Sequence, residues 1–131
     1  MPRHIWCGWT ETRYTSTMAS DCIFCRIVAG TIPSTKVFED DRVLAFRDLH
    51  PAAPVHVLVI PKEHIASTAH AVETHEALLG HLMLTAAKVA EQENLPKGFR
   101  VVANNGADGG QTVDHLHLHV LGGRAMGWPP G

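Results

Sequence analysis

His115-Leu116-His117-Leu118-His119-Val120-Leu121 alternates imidazole and apolar side chains over six positions and closes on a second apolar residue. A period of two is the signature of a β-strand, because successive side chains point to opposite faces. His115, His117 and His119 then share one face, and Leu116, Leu118 and Val120 share the other. The apolar face packs on a core. The other face presents three rings, roughly 7 Å apart by strand rise. On a helix the same residues would scatter around the axis. Strand stability does not ask for three imidazoles in a row, and protonated rings this close repel. The run therefore reads as a site for chemistry, with a solvated face and a metal-only site as the alternatives.

Upstream, Asn104-Asn105-Gly106-Ala107-Asp108-Gly109-Gly110-Gln111-Thr112 is a glycine-rich loop. Glycines let backbone N–H groups approach an anion, and Gln111 and Thr112 add side-chain donors. Alone, such a loop is an ordinary turn. Before a histidine row it reads as a phosphate cradle. A histidine nucleophile and an electrostatic cradle are what attack at phosphorus needs.

The rest of the chain supplies a scaffold. Asp21 is a good N-cap and Gly30 a good stop for a short helix, with Ile23, Phe24, Ile27 and Val28 as its apolar side. Residues 36–39 and 42–47 read as strands joined by an Asp40-Asp41 turn, and 55–60 as an apolar strand ended by Pro61. A long helix is expected over 72–94, where Leu78, Leu82, Thr85 and Val89 keep helical spacing. Strands follow at 99–103 and 116–121. This order gives an α+β fold with an antiparallel sheet.

The bulk numbers exclude several classes. The chain has 131 residues, 45% hydrophobic and 18% charged, which suits one globular domain. A net charge of −2 gives no general pull toward nucleic acid or an anionic membrane. No apolar run approaches the roughly 20 residues that cross a bilayer. Three cysteines point to a reducing compartment rather than a disulfide scaffold, hence a cytoplasmic location. Residues 1–20 lack periodicity and read as a flexible leader before a domain over 21–131. Met18 is an alternative start. The unusual count is ten histidines, the side chain suited to proton transfer and metal ligation near neutral pH.

With the run 115–121 in hand, the chain resembles the histidine triad (HIT) superfamily, whose signature is His-φ-His-φ-His-φ-φ with φ apolar. The resemblance runs from about Asp21 to Gly131. It includes Asp21-Cys22-Ile23-Phe24-Cys25, Leu44-Ala45-Phe46-Arg47-Asp48 and His56-Val57-Leu58-Val59-Ile60-Pro61-Lys62. The ending Gly122-Gly123-Arg124-Ala125-Met126-Gly127-Trp128-Pro129-Pro130-Gly131 is similar to the Hint branch, the purine nucleoside phosphoramidases.

The resemblance implies a five-stranded antiparallel sheet with two helices, dimerising into a ten-stranded sheet. It implies that His117 attacks the α-phosphate of a nucleoside 5′-phosphoramidate and forms a nucleotidyl-histidine that water resolves. His119 would hydrogen-bond the phosphate, and His56 would support the triad. Thr112, where the branch usually has Ser, would contact phosphate and leaving group, with Asn104, Gly110 and Gln111 beside it. Asp48 would bind the ribose hydroxyls. Ile23, Phe24, Ile27, Phe46 and Leu49 would line the base pocket, although their composition equally fits plain core. Trp128 would influence specificity near a partner subunit. The implied partners are a purine nucleotide such as AMP and a second copy of the chain, with no catalytic cofactor. A nucleotide-binding regulatory protein with incidental hydrolysis and a dinucleoside polyphosphate hydrolase are the other readings. Asp114 stands where the family often has an aromatic residue.

Cys22 and Cys25, three apart on one helix, share a side. Thiolates with imidazoles favour tetrahedral zinc. The matching histidines by resemblance are His64 and His115, which would make His115 structural. Two small buried residues are the alternative. His50 is expected at the surface, and His70, His75 and His81 in solvent.

Overall fold

The computed structural model describes residues 21–131. The leader expected at 1–20 lies outside them. Helix α1 spans Ile23–Ala29. Strands β1 (Lys36–Glu39), β2 (Val43–Arg47) and β3 (Val55–Pro61) follow. Two single turns of 3-10 helix lead into α2 (Glu76–Gln92), and β4 (Phe99–Val102) and β5 (Leu118–Gly122) complete the order. The strands form one sheet, ordered β1-β2-β3-β5-β4, with every neighbour antiparallel. The expected α+β architecture is the observed one.

Several boundaries differ from expectation. The cap of α1 is Cys22 rather than Asp21, with Cys22 Sγ accepting the Cys25 N–H at 3.3 Å. Gly30 ends α1 at φ +83°, left-handed backbone that disfavours other residues. The long helix begins at Glu76, because residues 68–75 settle into 3-10 turns tied by Ser67–His70 and Val72–His75 hydrogen bonds. Strand β5 begins at Leu118, so His115 and His117 precede the ladder.

The sheet has a buried layer on each face, and its pleat decides which side chain joins which. Val43, Ala45, Val57, Val59, Leu118 and Val120 pack with Leu82, Ala86 and Val89 of α2. Leu44, Phe46, Leu58 and Ile60 pack with Phe24 and Ile27 of α1. Leu116 joins the α2 layer although it lies outside the ladder, so the alternation expected over 115–121 holds.

All three histidines expected in solvent have partners, His70 in Ser67 and the other two in carboxylates. His81 Nε2 donates to Asp40 Oδ2 at 2.6 Å, and His75 Nε2 donates to Glu63 at 2.9 Å. Asp40 also accepts the Arg42 and Val43 backbone N–H groups, tying the β1–β2 turn to α2. Burial raises the Asp40 carboxyl pKa, but the hydrogen bonds from Arg42, His81 and Val43 outweigh it and hold the group at about 2.

Leu82 is 1% exposed at the centre of the α2 layer. Leu82→Ala is expected to destabilise the fold by about 2–5 kcal/mol, read as a shift in the denaturant midpoint at constant m-value.

Candidate active site and metal centre

The candidate active site lies on the α1 face of the sheet. In the β3–β5 register, His56 lies opposite Leu121 and His119 opposite Leu58. The two histidines are thus diagonal neighbours on one face. His56 Nε2 and His119 Nδ1 are 2.9 Å apart. The chain entering β5 brings His117 alongside, its ring centroid 4.9 Å from that of His119. The spacing is shorter than strand rise alone gives because the rings lean together in a T-shaped pair. Phe24 of α1 stands edge-on to His117 at 5.2 Å.

The hydrogen bonds fix the tautomers. A carbonyl only accepts, so His117 Nδ1 donates to the His115 carbonyl at 2.7 Å. Neutral His117 therefore carries its lone pair on Nε2. The Ala52 backbone N–H donates to His56 Nδ1 at 3.0 Å. His56 therefore holds its proton on Nε2 and donates it to His119 Nδ1, leaving His119 with Nε2–H. The result is one nucleophilic nitrogen beside one donor. Burial first, then the neighbouring His117 and His56, pushes the His119 imidazole down to about 4. Burial also lowers His56, against the raising effect of Asp48. Both are uncharged donors near neutral pH.

Asp48, at the end of β2, accepts the His50 N–H at 2.7 Å through Oδ1, and its Oδ2 lies 3.4 Å from His56 Nε2. Asp48, His56 and His119 also form a metal-sized cluster. The proton on His56 Nε2 stands between them, so hydrogen bonding rather than metal ligation organises this group.

A cavity of about 260 Å³ opens beside His117 and His119. Its wall includes the expected Ile23, Phe24, Ile27, Phe46, Asp48, Leu49 and Thr112. Phe24, Ile27 and Phe46 are buried, so they serve core and cavity together, while Leu49 is 87% exposed at the mouth. Ile32, Pro33, Ser34, Arg47, His50, Leu58 and Val113 also line it and were missed. Leu58 was within reach of sequence reasoning, because antiparallel pairing sets it opposite Phe46. His50 is exposed as expected, yet at the mouth. The 32–34 segment carried no signal beyond breaking a helix.

Asn104, Gly110 and Gln111 are not among the lining residues. Gln111 Nε2 donates to the Ala66 and Val113 carbonyls at 2.7 and 3.0 Å, and its Oε1 accepts the Gly106 N–H. The Gly110 and Gln111 N–H groups donate to Ala107 and Gly106 carbonyls. The Gly106, Gly110 and Gln111 amides and the Gln111 side chain are thus engaged within the loop and with the Ala66 and Val113 carbonyls, as a tight loop requires. Gly109 is obligatory here, since a Cβ would collide with the Asn105 backbone. Thr112 is the loop residue that reaches the cavity.

A second cluster lies one turn of chain away. Cys22 Sγ, Cys25 Sγ, His64 and His115 offer four ligand atoms within 4.8 Å of one another. His64 Nδ1 and His115 Nδ1 are 3.2 Å apart, with Cys25 Sγ 3.2 and 3.5 Å from them. His115, fully buried, donates from Nε2 to the Pro61 carbonyl at 2.8 Å, which leaves Nδ1 as a ligating lone pair. Burial, followed by the adjacent Cys22 thiol, pushes the Cys25 thiol up to about 12. Two sulfurs and two imidazole nitrogens converging at one point, with Cys22 and His115 buried and Cys25 and His64 half-buried, are the donor set of structural zinc.

The HIT domain family pattern matches residues 29–126. The chain belongs to the histidine triad family. It is 53% identical over 114 residues to the adenylylsulfatase HINT1 of Arabidopsis thaliana, covering 86% of this chain and 78% of that one. A 14 kDa zinc-binding protein of Brassica juncea is 52% identical over 113 residues, covering 85% of this chain and all of that one. The crystal structure of a HIT family hydrolase from Legionella pneumophila superposes with a TM-score of 0.82 at 50% identity, over 84% of this chain and 99% of that one. Within the family this HIT protein falls in the Hint-like branch and among its hydrolases. No helix of the described residues is long and apolar enough to cross a membrane.

Protonation of His119 links the site to stability. Its folded value lies below the ordinary 6.5, so the unfolded chain binds the proton more readily. This contribution is complete above about pH 6.5 and is lost as pH falls toward 4. The denaturation midpoint is expected to drop between pH 7.5 and 4.5, and to drop less in His119→Gln. An equal drop in both would contradict the assignment.

Proposed function

We propose that the protein is a purine nucleoside phosphoramidase acting through a nucleotidyl-histidine on His117. The observation that carries this reading is the pair of fixed tautomers: a lone pair on His117 Nε2 next to an N–H on His119 Nε2. His117 Nε2 attacks the α-phosphorus and the P–N bond breaks. The departing amine takes up a proton from solvent. Water then attacks the same phosphorus, breaks the P–Nε2 bond and releases the nucleoside monophosphate, returning the lone pair to His117.

His119 donates to a non-bridging phosphate oxygen, and the Thr112 hydroxyl contacts phosphate and leaving group. Asn104, Gly110 and Gln111 shape the loop that presents Thr112. Asp48 accepts the ribose hydroxyls, and the apolar end of the cavity takes the base. The name of the Arabidopsis relative adds sulfate as a second leaving group on an adenylyl phosphorus, a substitution that leaves the His117 step unchanged.

The Cys22, Cys25, His64 and His115 set is proposed to hold one structural zinc ion, which would supply fold stability and no reaction step. The His115 carbonyl that orients His117 is then anchored at its own side chain. A homodimer is the proposed assembly, supported by β4 standing at an edge of the sheet with Phe99 exposed beside it.

Adenosine 5′-phosphoramidate is expected to yield AMP with the wild-type protein, and His117→Ala to lose about 10⁴-fold or more in kcat. Wild-type protein that binds AMP without turning over the phosphoramidate would leave a binding module. Elemental analysis is expected to find zinc in the wild type and little in Cys22→Ala. Equal metal content in both would reject the site.

A further inference from the structure

We infer that Ser34 is a base-recognition residue, its hydroxyl hydrogen-bonding the polar edge of a purine held in the cavity beside the triad. The inference rests on the nucleotide reading of that cavity and names a contact within it.

Ser34 lies in the short connection between α1 and β1 and lines the same cavity as His117 and His119. Its Oγ is withdrawn from solvent and has no hydrogen-bond partner among the described residues. Buried hydroxyls in native structures are ordinarily satisfied, and one that is not calls for a partner. No hydrogen bond joins it to the polar side chains of the same cavity, and Ile27, Ile32, Pro33 and Leu58 of that wall are purely hydrocarbon.

The segment is also held in place. Thr31 N and Ile32 N donate to the Arg26 carbonyl, and Arg47 N donates to the Thr35 carbonyl at 3.0 Å. Those bonds fix Ser34 between the end of α1 and the strand end that carries Asp48. A serine side chain turns about one bond among three staggered positions, and a rotation at this lining residue is the movement by which Oγ would meet a bound base. There it both donates and accepts.

The ligand geometry fits this placement. With phosphate at His117 and His119 and ribose at Asp48, the base reaches the apolar end. Apolar walls recognise the faces of a base but not its edge. Purines present ring-nitrogen acceptors on that edge, and adenine adds an amino donor. A hydroxyl serves either.

The test is calorimetric titration of wild type and Ser34→Ala, each with AMP and with ribose 5-phosphate, which keeps the sugar and phosphate and lacks the base. Loss of one neutral hydrogen bond is expected to weaken AMP binding about three- to tenfold and leave ribose 5-phosphate unchanged. Ser34→Thr, which retains the hydroxyl, is expected to recover most of the loss. The ligand-free thermal midpoint of Ser34→Ala is expected to hold or rise, since an unsatisfied buried group is removed. Unchanged AMP affinity, or equal weakening toward both ligands, would overturn the inference. The enzymatic reading fails separately: it is lost if the wild type binds AMP but releases none from adenosine 5′-phosphoramidate, while the base contact still stands on the binding ratio.

Discussion

The constraint on which the molecule depends is the pleat of the chain from His115 to Val120, held between two buried layers. Leu116, Leu118 and Val120 must reach the α2 core, so the intervening residues have no choice of side. A slip of one position would turn the imidazoles into the α2 hydrocarbon layer and the leucines onto the α1 face. The packing of the far face therefore holds the near face in register. The geometry of the histidine cluster is here a by-product of core packing.

On that face, backbone groups do most of the work of orientation. The His115 carbonyl sets His117, and the Ala52 amide sets His56 and through it His119. Neither depends on a charged partner. Burial lowers His56 and His119, so this pair works as neutral donors rather than as a proton store. His115 belongs to both clusters. Its ring joins the cysteines and His64, and its carbonyl orients His117. Stability and chemistry thus meet at one residue, although the three histidines look equivalent on the page.

Much of the scaffold was legible. Five strands, two helices and the Gly30 stop follow from periodicity and turn residues, which are local properties. The errors have local causes too. Cys22 displaced Asp21 as a cap because its sulfur also accepts a backbone N–H. The long helix lost its first residues to 3-10 turns stapled by side chains. The glycines at 106, 109 and 110 reveal that the loop can turn sharply and not which way its amides point. His75 and His81 looked solvated because their carboxylate partners lie 12 and 41 residues away.

The sequence by itself determined the alternation at 115–121, the chemistry of its side chains and hence the family. Those facts are written in residue order, and a period of two needs no third dimension. Only the tertiary structure decided how each histidine is held. Tautomers depend on which backbone group meets each ring, and the Ala52 amide and His115 carbonyl are brought there by strand register and loop closure. It alone also brought Ser34 to the cavity and gathered Cys22, Cys25, His64 and His115 across 93 residues of chain. Long-range convergence of this kind is set by sheet pairing and helix packing, and no local pattern records it.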